Sequence, residues 1–408
     1  MEKNLKPVSA WLRRQQHLSP PPIPAPLPAN MPNIVTDHRH PRQTYILPRW
    51  APHDNVFFMR ISDSTNLPAP GITTNGLAPA AIETRDIAAK NLASENLEID
   101  DLANADLTPQ ILPLAGLGAP PFMPVETILP PPSSTPSAVV LSSPHAGRIY
   151  PAEFITASIA DITALRGLED FGVDCLISGV REAGITCISN RITRAYIDVN
   201  RPVDALDHSM FNRAPSDNAK RDNDKPNGGT LSRHVRAGYG LLPRLTAGRE
   251  VIYRQLLPVD EIDQRIALVH TPYHQAVEAA LAAANDRFGR YLLIDCHSMP
   301  SHDQHEKPLA DIVLGDLHQS TLDRAIAKVL AAEITAAGFS IAWNHPYAGG
   351  YITKHYGRAA TRQQSVQIEI NRQLYMTRKY TLDPAGASRV AALLSRLGTV
   401  LSDLMARA

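Results

Sequence analysis

Cysteine is scarce: Cys175, Cys187 and Cys296 are the whole supply in 408 residues. Three thiols build no disulfide framework, and no CxxC pair is present to hold a structural zinc, so the chain is expected in a reducing cytoplasm. Net charge is missing too, because 40 Lys and Arg balance 40 Asp and Glu. That balance removes the basic excess by which proteins grip nucleic acid or anionic membranes. No stretch offers the about 18 uninterrupted apolar residues of a membrane span. The N-terminal MEKNLKPVSAWLRRQQHLSPPP carries positive charge but lacks the apolar region of a secretory signal. The expectation is a soluble, cytoplasmic protein with neither nucleic-acid nor membrane partner; no oligomeric state is assigned.

Proline, by contrast, is abundant: most of the 35 fall before residue 137, in runs such as SPPPIPAPLPANMP and LPPPSSTPS. Missing amide donors and a fixed φ oppose helix and sheet there. Residues 1–115 are therefore expected to be a proline-rich extension, linker-like or partly disordered, with helix formers at 83–107. From 116 to 408 the texture is that of a folded domain, and 44% hydrophobic residues supply its core. Strand-like AVVLSS, ITCISN, YLLIDC and SVQIEI alternate with helix-like VDCLISGVREAG, PYHQAVEAALAAANDRFG and LDRAIAKVLAAEITAAGF. Such alternation predicts an α/β fold with a mixed, largely parallel sheet between helices.

In such folds the chemistry gathers beyond the carboxyl ends of the strands. AVVLSS runs into PHAG with His145, and YLLIDC into His297, which is expected in the loop where that strand gives out. ITCISN leads to TRAYIDVNR with Arg194, Asp198, Asn200 and Arg201, and SVQIEIN carries Glu369 between Gln367 and Asn371. Two histidines, several carboxylates and two arginines at strand ends suggest a metal-assisted hydrolase with an anionic substrate.

Each residue has a plainer explanation. A lone histidine after a strand is more often a hydrogen-bonded structural residue than a ligand, and a lone glutamate more often faces solvent. Asp295 either orients the His297 imidazole or caps a turn. HTPYH (270–274) has ligand-like spacing, but Pro272 places a helix start there; HDQHE (302–306) reads as a polar loop. Cys296, out of phase with Asp295 and His297 along the strand, is expected to be a buried structural thiol.

Seven segments in order, SSPHAGRIYP, LEDFGVDCL, RAYIDVNRP, TPYH, LLIDCHSMP, GGYITKHYG and QIEINRQLYM, together resemble the N-formylglutamate amidohydrolase family, the deformylases of histidine breakdown. The resemblance runs from about residue 120 to the C-terminus. It implies a fold similar to zinc carboxypeptidases and aspartoacylases, and a zinc ion, or another divalent metal, held by two histidines and a carboxylate. The histidines are then His145 and His297. Arg148 stands where relatives often place the ligand glutamate, so the acid is expected from Asp170, or else Asp174.

The same resemblance implies Glu369 as the general base, Arg194 as the partner of the oxyanion, and Asn200 and Arg201 as the substrate-carboxylate pair. In GGYITKHYG, Tyr351, Lys354, His355 and Tyr356 are candidate substrate contacts, with Tyr351 and His355 the ones expected to bind. The small-molecule substrate is expected to be N-formyl-L-glutamate. Alternatives are another N-acyl amino acid or short peptide, or a non-catalytic binding or scaffold protein that recruits partners through its prolines. The polar run 213–234 is read as a lid or a flexible loop.

Overall fold

Val139, Val140 and Leu141 are consecutive and all almost fully buried, which requires a strand covered on both faces. They open the central strand set of this computed structural model, which describes residues 106–118, 122–212, 232–378 and 380–407, with a short antiparallel backbone pair at Asn33–Thr36 and Thr44–Leu47. The rest of the proline-rich extension, the 83–105 patch and residues 213–231 of the polar run lie outside the described residues.

Seven strands form one sheet: β1 (Val125–Ile128), β2 (Val139–Ser143), β3 (Thr186–Asn190), β4 (Tyr291–Met299), β5 (Ile312–Gly315), β6 (Ile341–Trp343) and β7 (Gln363–Asn371), in the order β6-β5-β7-β4-β2-β3-β1. The β7–β4, β4–β2, β2–β3 and β6–β5 pairs are parallel, and only β7–β5 and β3–β1 are antiparallel. The expected mixed, largely parallel sheet is what forms.

The helices α1 (Thr271–Phe288), α2 (Arg324–Ala336), α3 (Tyr351–Tyr356) and α4 (Pro384–Arg407) cover its two faces. Leu141, Leu292, Ile294, Cys296 and Ile368 point into one core, with Leu330 and Ile334 of α2 and Leu394 and Leu401 of α4. Val140, Ile188 and Leu293 point into the other, beneath Tyr273, Val277 and Leu281 of α1. Burying each such aliphatic side chain contributes roughly 1.5–3 kcal/mol. Asp323 caps α2 by accepting from the Ala325 amide at 2.7 Å. In α4, Gly398 faces Val180, whose Cγ1 would lie 2.6 Å from any added Cβ.

Three local expectations change. VDCLISGVREAG is not one helix: a short α turn, Val173–Leu176, gives way to a 3-10 segment, Ser178–Ala183, which ends at Gly184 with φ 79°. Ser178 Oγ donates to the Cys175 carbonyl at 2.8 Å, a local bond that competes with the helix ladder. The α-helix α1 does begin at Thr271 with Pro272 in its first turn, but it is not a fresh start: helical backbone begins at Asp260 and passes through a π turn, Ile266–His270, before it. Proline lacks an amide and its ring crowds the carbonyl four residues back, and the wider π turn accommodates both. Finally, β4 does not end before His297: pairing with β7 continues to Met299 opposite Asn371, so the histidine stands within the strand.

The segment before β1 is also engaged. Gln110–Leu112 pairs in parallel with Ile149–Pro151, Leu117 is buried in the α1-side core, and Arg166 donates to the Leu107 carbonyl at 3.0 Å.

Candidate metal and catalytic site

Alternation along β4 sends Cys296 into the α2–α4 core and leaves Asp295 and His297 on the opposite face. Burial pushes the Cys296 thiol well above its ordinary range, which suits the structural role expected of it. The neighbouring strands extend this polar face. Ser142 and Gln367 flank Asp295 in register, and Glu369 stands beside His297. Ser142 Oγ donates to Asp295 Oδ1 at 2.7 Å, and Asp295 Oδ2 takes His297 Nε2 at 2.9 Å. A carboxylate can only accept, so that nitrogen carries the proton and the Nδ1 lone pair is directed elsewhere.

It is directed at His145 and Asp170. His145 Nδ1 lies 3.1 Å from His297 Nδ1, and Asp170 Oδ2 is 3.0 Å from the latter and 3.4 Å from the former. His145 is oriented in the same way, with Nε2 on Asp198 Oδ1 at 2.7 Å. Three donors around a tetrahedral zinc, at bonds of about 2.0–2.1 Å, stand roughly 3.3 Å apart. The triangle fits that spacing, and a carboxylate on the far nitrogen of each imidazole is the usual support of a histidine ligand. The group is the one His/Cys/Asp/Glu cluster among the described residues with metal-ligand spacing.

Asp170, not Asp174, is thus the acid brought to the histidines. Asp174 pairs with Arg148 at 2.7 Å, which also accounts for the arginine. Burial opposes charge on Asp170 and His297, but the contacts of His145 and then His297 hold the Asp170 carboxyl well below its ordinary range, and the charge of Asp295, then the bond to Asp170, holds the His297 imidazole well above its own. Asp198 is likewise buried, and Arg194 and Arg201 hold its carboxyl well down.

Glu369 makes no such ion pair among the described residues. Burial pushes its carboxyl up to about 7, with His297 pulling the other way, and Gln367 Nε2 donates to its Oε1 at 2.7 Å. The buried Gln367 Oε1 has no partner among the described residues. A carboxyl poised near neutrality can exchange a proton with substrate. Arg194 donates from Nε to Asp198 Oδ2 at 2.9 Å.

Other expected residues fall around this centre. Asn200 Nδ2 is 3.2 Å from His297 Nε2, and its Oδ1 accepts from the Ile352 amide at 2.8 Å, tying α3 to the cluster. Gly350 permits that approach, because a Cβ there would lie 2.5 Å from Asn200 Nδ2. Arg201 donates to the Tyr239 carbonyl at 2.9 Å and to the Asn200 carbonyl at 2.8 Å. Tyr351 and His355 stack on one another with centroids 5.0 Å apart. The HTPYH histidines do not join the metal cluster. His274 Nε2 donates to the Val199 carbonyl at 2.9 Å and His270 Nε2 to the Arg201 carbonyl at 3.0 Å, so the pair clamps the backbone on both sides of Asn200. HDQHE forms a largely exposed turn in which Asp303 accepts from the His305 and Lys307 amides.

Two residues near the centre escaped sequence reasoning. Arg372 reaches Asp170 Oδ1 at 3.2 Å and Ser298 Oγ at 2.9 Å; its position three residues after Glu369, past the strand end, was the available signal. Tyr347 has a phenol pushed up to about 12 by burial and by the charge of Glu369, and no local pattern marks it.

The family model described as N-formylglutamate amidohydrolase matches residues 137–376. The chain belongs to that family. It is 31% identical over 261 residues to the N-formylglutamate deformylase of Pseudomonas aeruginosa, covering 62% of this chain and 88% of the relative. The enzyme of the same name from Pseudomonas putida is 27% identical over 243 residues, covering 58% and 81%. The crystal structure of N-formylglutamate amidohydrolase from Ralstonia eutropha JMP134 superposes with a TM-score of 0.62 at 32% identity, over 70% of this chain and 99% of that one. No helix among the described residues is long and apolar enough to cross a membrane.

Proposed function

We propose that this protein hydrolyses the formamide bond of N-formyl-L-glutamate, giving formate and L-glutamate, with a zinc ion held by His145, Asp170 and His297. The observation that carries the metal assignment is the triangle of two Nδ1 atoms and one carboxylate oxygen at 3.0–3.4 Å, each imidazole backed by its own aspartate. The substrate assignment rests on the deformylase relatives. A divalent ion in such a site acidifies water and polarises a carbonyl.

The protein's own groups do the remainder. Glu369, buried beside His297, takes a proton from the attacking water and delivers it to the departing amino nitrogen. Arg194, steadied by Asp198, offers its remaining guanidinium donors to the oxygen that gains charge at the formyl carbon. Asp198 and Asp295 keep the imidazoles in the tautomer that leaves Nδ1 free. Asn200, with Tyr351 and His355 beyond it, lines the substrate's approach, and Arg201 fixes Asn200 through its carbonyl.

The test is stoichiometry. Purified protein given N-formyl-L-glutamate is expected to release formate and L-glutamate one to one, and to act far more slowly on N-acetyl-L-glutamate. Preference for a different N-acyl amino acid would keep the amidohydrolase chemistry and displace the substrate.

A further inference from the structure

Resting on that function, we infer that Arg372 is the specificity residue that receives one of the substrate's two carboxylates, a task the sequence motif alone would give to Arg201. Arg372 follows β7 directly, and its backbone is fixed by a short 3-10 turn, Arg372–Leu374, that Asn371 caps by accepting from the Gln373 amide at 3.1 Å. Its guanidinium is anchored along one edge. Nε donates to Ser298 Oγ at 2.9 Å, and Nη2 donates to the Glu169 carbonyl at 2.7 Å and to Asp170 Oδ1 at 3.2 Å.

Those three bonds use the Nε proton and both protons of Nη2, so both N–H groups of Nη1 are open among the described residues. The side chain is 28% exposed, against 10% for Arg201. Arg201 is turned inward, with Nε on the Tyr239 carbonyl, Nη1 on the Asn200 carbonyl and Nη2 near His234. The charge of Arg372, like that of Arg194, is felt by Glu369 and by Tyr347. An anchored cation with a free end, held against the candidate ligand Asp170, is preorganised for an anion, because little side-chain freedom is lost on binding. Arg194, held to Asp198 through Nε, is assigned to the oxygen that gains charge at the formyl carbon, which leaves Arg372 as the cation for a carboxylate remote from that carbon.

The test compares wild type, Arg372→Met and Arg372→Lys in the full-length, zinc-loaded protein. Substrates are N-formyl-L-glutamate, N-formyl-L-glutamine and the α-amide of N-formyl-L-glutamate, which remove one carboxylate charge each. In Arg372→Met, KM for N-formyl-L-glutamate should rise at least tenfold, and the preference over one of the two amides should fall towards unity. Bound zinc should be unchanged, and Arg372→Lys should keep part of the preference. An unchanged preference overturns the assignment. So does an equal loss on all three substrates together with lost zinc, which would mean that Arg372 only holds Asp170. Calorimetric binding of N-formyl-L-glutamate to Glu369→Gln, with and without Arg372→Met, separates this inference from the proposed activity. Binding weakened at least tenfold supports the assignment even where wild type releases no formate; equal binding overturns it.

Discussion

Glu369 and His297 are register partners on adjacent parallel strands, so the candidate base and a candidate metal ligand share one face of the sheet. Neither depends on a loop for its position. This relationship makes the two roles separable by mutation.

Glu369→Gln removes the exchangeable proton while leaving the ladder and the Gln367 contact in place. Turnover should fall by about 10²–10⁴-fold, the usual worth of a positioned acid–base group, and bound zinc should stay at one per chain. A near-normal rate would remove Glu369 from the mechanism.

Asp198 and Asp295 each hold the far nitrogen of a candidate ligand. Replacing either by Asn weakens the hydrogen bond that sets the tautomer, and zinc affinity should drop by roughly 10–100-fold. Competition with a chromophoric chelator reads this directly. Undiminished affinity in both variants would place the metal elsewhere.

His274 gives the fold a pH dependence. Burial, then the neighbouring His270, pushes its imidazole down to about 3, whereas in the unfolded chain it takes a proton near 6.5. Between those values the unfolded state binds more protons, so stability falls as pH falls, by up to about 1.4 kcal/mol per pH unit from this group. The contribution is fully present above 6.5. His274→Gln should therefore show a shallower loss of stability between pH 6.5 and 4 in urea titrations; an identical slope would mean that His274 is protonated in the folded state.

These histidines also show where sequence reasoning reached and where it stopped. The sheet, its parallel bias and the gathering of His145, His297 and Glu369 towards the carboxyl ends of the strands were legible, because alternation and motif spacing are local properties; that His297 stands inside the ladder was not. The clamp on Asn200 was not: it joins residues about 70 positions apart and depends on a π turn that no periodicity announces. The choice of Asp170 over Asp174 was equally non-local, decided by which acid Arg148 takes. Arg372 went unnoticed because its partners, Ser298 and Asp170, are brought to it only by the fold.

We propose that the catalytic domain begins near Asp106, since the strand at 110–112, Leu117 and the bond from Leu114 N to Glu153 Oε2 at 2.9 Å all tie this segment down. A chain starting at residue 106 should match the full-length melting temperature. One starting at 122 should melt several degrees lower, having lost that strand pairing and the burial of Leu117. Equal melting of the two would show that residues 106–121 add nothing to stability.

Metal dependence of formate release is the most direct test of the whole account. Protein purified without added metal is assayed on N-formyl-L-glutamate, stripped with a chelator and assayed again, then reloaded with zinc, alongside His297→Ala carried through the same steps. The account predicts activity that is lost on stripping, restored by one zinc per chain, and absent in His297→Ala, which should bind no stoichiometric zinc. Full activity in the stripped protein, or a His297→Ala variant that retains both its zinc and its turnover, would contradict it.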